Sequence, residues 1–167
     1  MSTKRSTILA NAAASPPVMN DTPMSGAEVR SQVCVVDVAT TDIDASDIIE
    51  LCKLPADAII YDIQRTNEDL GTTLTAHLGL YDKDGNVKDA DSYASSLALG
   101  TAQATFTSDR FESGAEGGDP TKFGQKVYED AGDTDNSGGE YILALTVTVS
   151  STPAAGRINY LVTYGDV

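Results

Sequence analysis

The strongest constraint in this chain is a two-residue rhythm near its C-terminus. Tyr141, Leu143, Leu145, Val147 and Val149 alternate with Thr146 and Thr148. Ile158, Tyr160, Val162 and Tyr164 then alternate with Asn159 and Thr163. Successive side chains of a strand point to opposite faces, so this period marks half-buried β-strands. The turn-like Thr152-Pro153-Ala154-Ala155-Gly156 between them predicts a long closing hairpin. A helix cannot satisfy either run.

The same rhythm runs through the rest of the chain. Val29, Val33 and Val35 share one parity and Val36 and Val38 the other, which predicts a bulge or crossing near Val35. Ile48 to Leu54 reads as a short strand stopped by Pro55. In Ala58 to Asn67, Ile59, Tyr61 and Ile63 face one way and Asp62, Gln64 and Thr66 the other. Leu74, Ala76, Leu78 and Leu80 continue the pattern, with Thr73, Thr75 and His77 opposite. Asp82-Lys83-Asp84-Gly85-Asn86 is a tight turn in which Gly85 supplies a positive φ. Ala90 to Leu99, rich in Ala and Ser, has weak helical character. Ala102, Ala104 and Phe106 mark a further strand. In the polar, glycine-rich stretch 108–137, Phe123, Val127 and Tyr128 suggest a short strand.

About eight short strands with little helix predict an all-β fold, an antiparallel β-sandwich of the jelly-roll kind. An immunoglobulin-like sandwich is the alternative, although the Cys–Trp–Cys signature of antibody domains is missing. Residues 1–26 carry no apolar period and hold Pro16, Pro17 and Pro23. They read as an extended N-terminal arm, leaving 27–167 as the sandwich domain, with a long loop at 108–137. The arm's Lys4 and Arg5 followed by Ile8 to Ala14 fall short of a secretion signal, because the apolar run is brief and holds Asn11.

Charge excludes whole classes of partner. The 167 residues carry a net charge of -14, which repels phosphate backbones and anionic lipid and argues against nucleic acid or membrane as partner. No apolar run approaches the ~20 residues of a membrane helix. Two cysteines, Cys34 and Cys52, are too few for a zinc site and read as free thiols.

Catalytic chemistry finds little support. His77 is the sole imidazole and shares the polar face of its strand with threonines. No nucleophile motif or phosphate-binding loop occurs, so the chain reads as no enzyme and needs no cofactor. The one metal candidate is Asp133-Thr134-Asp135-Asn136-Ser137-Gly138, whose oxygen ligands at alternate positions and following glycine repeat the first half of a calcium-binding loop. The carboxylate that should close that loop is Ala144, so a calcium site here would use Asp133, Asp135, Ser137 and Glu140.

One segment carries a resemblance. Asp47-Ile48-Ile49-Glu50-Leu51-Cys52-Lys53-Leu54-Pro55-Ala56-Asp57-Ala58-Ile59-Ile60 resembles small virion proteins of tailed bacteriophages, in which a short strand meets an L-P-A-x-A turn and enters a longer strand. Leu78-Gly79-Leu80-Tyr81-Asp82 with Asp89-Ala90-Asp91-Ser92-Tyr93, and the closing strand pair, are similar to the same proteins. The resemblance implies a protein that decorates and cements a capsid. Its implied partners are the major capsid protein and itself, as a homotrimer. It implies a place on the virion surface after synthesis in the host cytoplasm. A head-fibre base, a head–tail joining protein and a glycan-binding sandwich are the competing readings. No catalytic residues come with the resemblance.

Overall fold

The computed structural model describes residues 14–16, 18–19, 28–110, 122–136 and 139–166. Eight strands make up most of it: β1 (Glu28–Val38), β2 (Ile48–Pro55), β3 (Ile59–Asn67), β4 (Thr75–Tyr81), β5 (Val87–Ala98), β6 (Gln103–Ser108), β7 (Glu140–Val149) and β8 (Gly156–Asp166). They form two four-stranded antiparallel sheets, ordered β1-β8-β3-β6 and β2-β7-β4-β5. The all-β sandwich expected from the alternation is the fold.

The pairings are nested. β1 pairs with β8, β2 with β7, β3 with β6 and β4 with β5. The first half of the chain thus lies against the second half like one long hairpin. The added β3–β8 and β4–β7 ladders close it into two sheets. The tight turn at its tip forms as expected: Asp82 N–H donates to the Asn86 carbonyl at 2.9 Å, and Gly85 has φ +83°.

This arrangement corrects the expected closing hairpin. β7 and β8 lie in different sheets, and the connection after Val149 crosses between them. Alternation reports only that each strand has one buried face, and a face buried against the other sheet looks the same from either side. Leu143, Leu145 and Val147 from β7 meet Ile158, Tyr160 and Val162 from β8 in one core, joined by Ile60, Ile63, Leu78 and Leu80.

Three local expectations also fail. Within Ala90 to Leu99, all but Leu99 belongs to β5, because Tyr93, Ala94 and Leu97 are buried against the core and pairing with β4 overrides the weak helical propensity of Ala and Ser. Val127 and Tyr128 lie in one helical turn, α1 (Val127–Asp130), not a strand. β1 has no bulge, since its register with β8 runs unbroken from Glu28 to Val38. A bulge sits instead in β3, between Ile60 and Asp62. It places Ile60, Ile63, Arg65 and Asn67 in the buried layer, while Tyr61 lies over Gly165.

Gly79 shows how closely β5 lies on β4. A Cβ there would come well inside 3.0 Å of backbone atoms of Asp89 and Ala90. Gly79→Ala is expected to cost about 1–3 kcal/mol, as overpacking against an unyielding backbone does. Urea denaturation would measure it, and a variant as stable as the parent would mean that β5 does not occupy this place.

Candidate functional site

The chain's unusual chemistry gathers where β6 ends and the segment toward β7 begins. Two adjacent residues there, Asp109 and Arg110, are both buried. Asp109 enters the layer between the sheets. Its carboxylate accepts Arg65 Nε at 2.8 Å and the Tyr160 hydroxyl at 3.1 Å. Arg65 also donates to Asn67 Oδ1, and Asn67 Nδ2 donates to the carbonyls of Glu68 and Thr101 at 2.7 and 3.0 Å. Burial pushes the Asp109 carboxyl up, opposed by the Arg65 guanidinium and the hydrogen bonds from Arg65 and Tyr160.

Arg110 turns to a second buried group. Its guanidinium carbon lies 5.1 Å from the centre of the Tyr93 ring, within cation–π range, and its Nη2 is 4.0 Å from Asp130 Oδ2. The Tyr93 hydroxyl donates to Asp130 Oδ2 at 3.0 Å. Burial pushes Asp130 up to about 6, and burial followed by the nearby Asp130 charge pushes the Tyr93 phenol well up. Asp130 sits in α1, which is tied to the start of β3: Val127 N–H donates to the Ala58 carbonyl at 2.9 Å and Tyr128 N–H to that of Ala56 at 3.0 Å. The segment just past β6 and the helical turn α1 are thereby held together by an ion pair over the Tyr93 ring. Periodicity could not announce this, because Arg65 and Asp109 occupy buried positions where the pattern expects apolar side chains.

The calcium candidates are only partly brought together. Asp133 accepts the Tyr141 hydroxyl at 2.5 Å and Lys88 Nζ at 3.0 Å, and these donors hold its carboxyl below the usual range. Glu140 accepts Lys53 Nζ at 3.1 Å. Asp135 is exposed, and Ser137 lies outside the described residues. The turn at Asp82 does reach this place: Asp82, Asp84, Lys83, Lys88, Asp133, Glu140 and Tyr141 line one recess of about 180 Å³. Among the described residues, no three His, Cys, Asp or Glu side chains are grouped as metal ligands.

The remaining candidates have structural work. His77 is half-buried, and its Nδ1 accepts the Ser96 backbone N–H at 3.2 Å, pinning a residue with φ +59°. Cys34 and Cys52 are free thiols on facing strands of the two sheets. A hydrogen bond from Cys52 lowers the Cys34 thiol, whereas that contact and burial push Cys52 up. A recess of about 380 Å³ between β1 and β2 is lined by Asp37, Asp42, Asp47 and Glu50 among others. No described helix is long and apolar enough to cross a membrane.

No protein-family model and no curated protein matches the chain. Solved structures do share its fold. A chain in the capsid of Ralstonia phage GP4 superposes with a TM-score of 0.61 at 18% identity, covering 89% of this chain and 91% of that one. A chain in the cyanophage Pam1 capsid asymmetric unit superposes with a TM-score of 0.52 at 21% identity, covering 92% of this chain and 97% of that one. At these identities the likeness is one of fold: this sandwich is a form that occurs in bacteriophage capsids.

Proposed function

We propose that this chain is a structural protein of a bacteriophage virion, a jelly roll that decorates and cements the capsid. The observation that carries the reading is the match of nearly the whole sandwich to chains from two phage capsids. The nested pairing supports the jelly-roll assignment, since rolling up one long hairpin gives these two strand orders. In this reading the protein is made in the host cytoplasm and binds the major capsid protein at the outer surface as a homotrimer. Symmetry then multiplies contacts that are weak one by one. The buried ion pairs suit a rigid part, and the reading assigns it no catalytic step.

Quantitative mass spectrometry of purified particles tests the role. Near-parity with the major shell protein is the expected result. A copy number confined to one vertex would move the protein to a fibre base or the head–tail joint. Absence from particles would end the virion reading. It would favour a glycan-binding sandwich, for which the exposed Phe106 offers a stacking face.

Two further parts of the proposal have their own tests. Residues 1–26, which carry Lys4 and Arg5 against an acidic body, serve as an arm that reaches a neighbouring subunit. Deleting 1–24 is expected to lower occupancy on particles, and unchanged occupancy would refute the arm. Calcium at Asp133, Asp135, Ser137 and Glu140 would have to displace Lys88 from Asp133 and Lys53 from Glu140. A bound ion raises the melting midpoint in calcium over that in EDTA. Equal midpoints would remove the site.

A further inference from the structure

The four sheet edges are not alike. An open edge presents a row of backbone donors and acceptors that invites another strand, and proteins blunt it with bulges, charges, proline or shortness. β2 has a bulge between Glu50 and Cys52, exposed Glu50 and Lys53, and a terminal proline. β5 shifts register against β4 at several points. β6 has six residues. β1 carries none of these devices along its centre. It is 11 residues long, its register is unbroken, and no described strand pairs with its outer side.

The middle of β1, Ser31-Gln32-Val33-Cys34-Val35-Val36, holds no charge, no glycine and no proline. A six-residue window of this composition on an open edge pairs with its own kind. Its outer face is apolar as well. Val29, Val33 and Val35 are 60%, 70% and 54% exposed. Leu161 of β8 stands beside Val33, and Tyr61 lies over Gly165, which is paired with Val29.

We propose that the β1 edge is an interface with a second copy of this chain. Two β1 strands pair antiparallel about a two-fold axis at Gln32 and join the two β1-β8-β3-β6 sheets into one. In that register Val29 stands opposite Val35 of the second copy, and Ser31 opposite Val33. Glu28 falls opposite Val36 and Arg30 opposite Cys34, so no like charges face each other. Asp37, engaged by Arg157 at 2.6 Å, lies just outside the overlap. Moving the axis to Val33 would set Val29 against Asp37, and a shift of half that step would turn the valines to opposite faces.

A second copy fits better than an unlike partner, because the strand is complementary to itself. A two-fold contact requires that property. The net charge of -14 makes two copies repel at a distance, and this uncharged window is where they can meet. Salt therefore strengthens the association by screening the repulsion, whereas it weakens binding to a basic partner. The strand pair falls short of the ~800 Å² per partner of a standard interface, so the association is weak and concentration-dependent. The contact does not depend on the virion reading.

Sedimentation of the full chain over a concentration series, at low and high salt, tests it. The expected result is a step that doubles the mass of the smallest species and grows with salt. Val33→Lys, on an exposed face, is expected to weaken that step about tenfold or more, with its fold checked by circular dichroism. Mixing Val29→Lys chains with Val35→Glu chains is expected to restore it, because the new charges then face each other. No doubling in the parent, or doubling that ignores Val33→Lys, would overturn the interface. Loss without rescue in the mixture would overturn the register and its two-fold axis.

Discussion

Asp109→Ala is expected to destabilise the protein by about 3–5 kcal/mol, the cost of leaving a buried charge without its partner. Arg65 would keep its guanidinium between the sheets, 6% exposed, with Asn67 and backbone carbonyls as its remaining acceptors. The Tyr160 hydroxyl would lose its acceptor as well. Replacing both charges is expected to cost much less. Arg65→Met with Asp109→Leu fills similar space without an unpaired ion, and buried pairs exchanged in this way are often near neutral. The interaction energy from the double-mutant cycle is therefore expected to be large and favourable. Urea denaturation of the parent, Asp109→Ala, the single variants Arg65→Met and Asp109→Leu, and their double variant would measure both. A loss below about 1 kcal/mol for Asp109→Ala would mean that water reaches the pair and that it contributes as a surface bridge does.

The chemistry of that pair also shows what the sequence could and could not reveal. β2, β4, β7 and β8 are legible because one face of each is apolar and buried, and Leu78 or Leu145 advertises that face by parity alone, although β4 and β7 also bury Tyr81, Ile142 and Ala144 on the other side. The chain path is not. Parity cannot say whether the partner of β7 is β8 or β2 and β4, so the expected hairpin turned out to be a crossing between sheets. β5 misled because Ala and Ser have no strong strand preference, and its place is fixed by what lies beside Gly79. β1 misled in the opposite sense. Its valines switch parity after Val35, which suggests a bulge or crossing, yet the register is regular and Val29, Val33 and Val35 are exposed. Arg65, Asp109, Arg110 and Asp130 carried no signal, since a charged residue at a buried position is recognisable only when its partner is known. Asp133 and Glu140 did carry one, through their spacing, and the fold engages both with lysines from other strands.

Asp130 is expected to make the protein more stable at pH 5 than at pH 7. Burial raises its pKa from the ordinary 3.8 to about 6, against the pull of Arg110 and the Tyr93 hydroxyl. Between about pH 4 and 6 the folded chain therefore holds a proton that the unfolded chain has released. Stability falls as the pH rises through that window and levels off above it, by about 3 kcal/mol over the full range for this one group. Asp109, raised by burial, adds to the slope in the same sense. Asp37, Asp82 and Asp133 act in the other direction. Hydrogen bonds from Arg157, Asn86 and Tyr141 lower their pKa values, so the stability they give is lost only as the pH falls below the ordinary carboxylate range. The two sets together place the maximum at the lower end of that window, at about pH 4 to 5. Melting across this range should show it, and Asp130→Asn should flatten the fall between pH 5 and 7. Equal slopes in the parent and the variant would refute the assignment. Asp130 sits in α1 and Arg110 just past the end of β6, so the proton also changes the charge balance where these two segments meet. At pH 7 the pair over Tyr93 is an ion pair, and at pH 5 Arg110 faces a neutral acid.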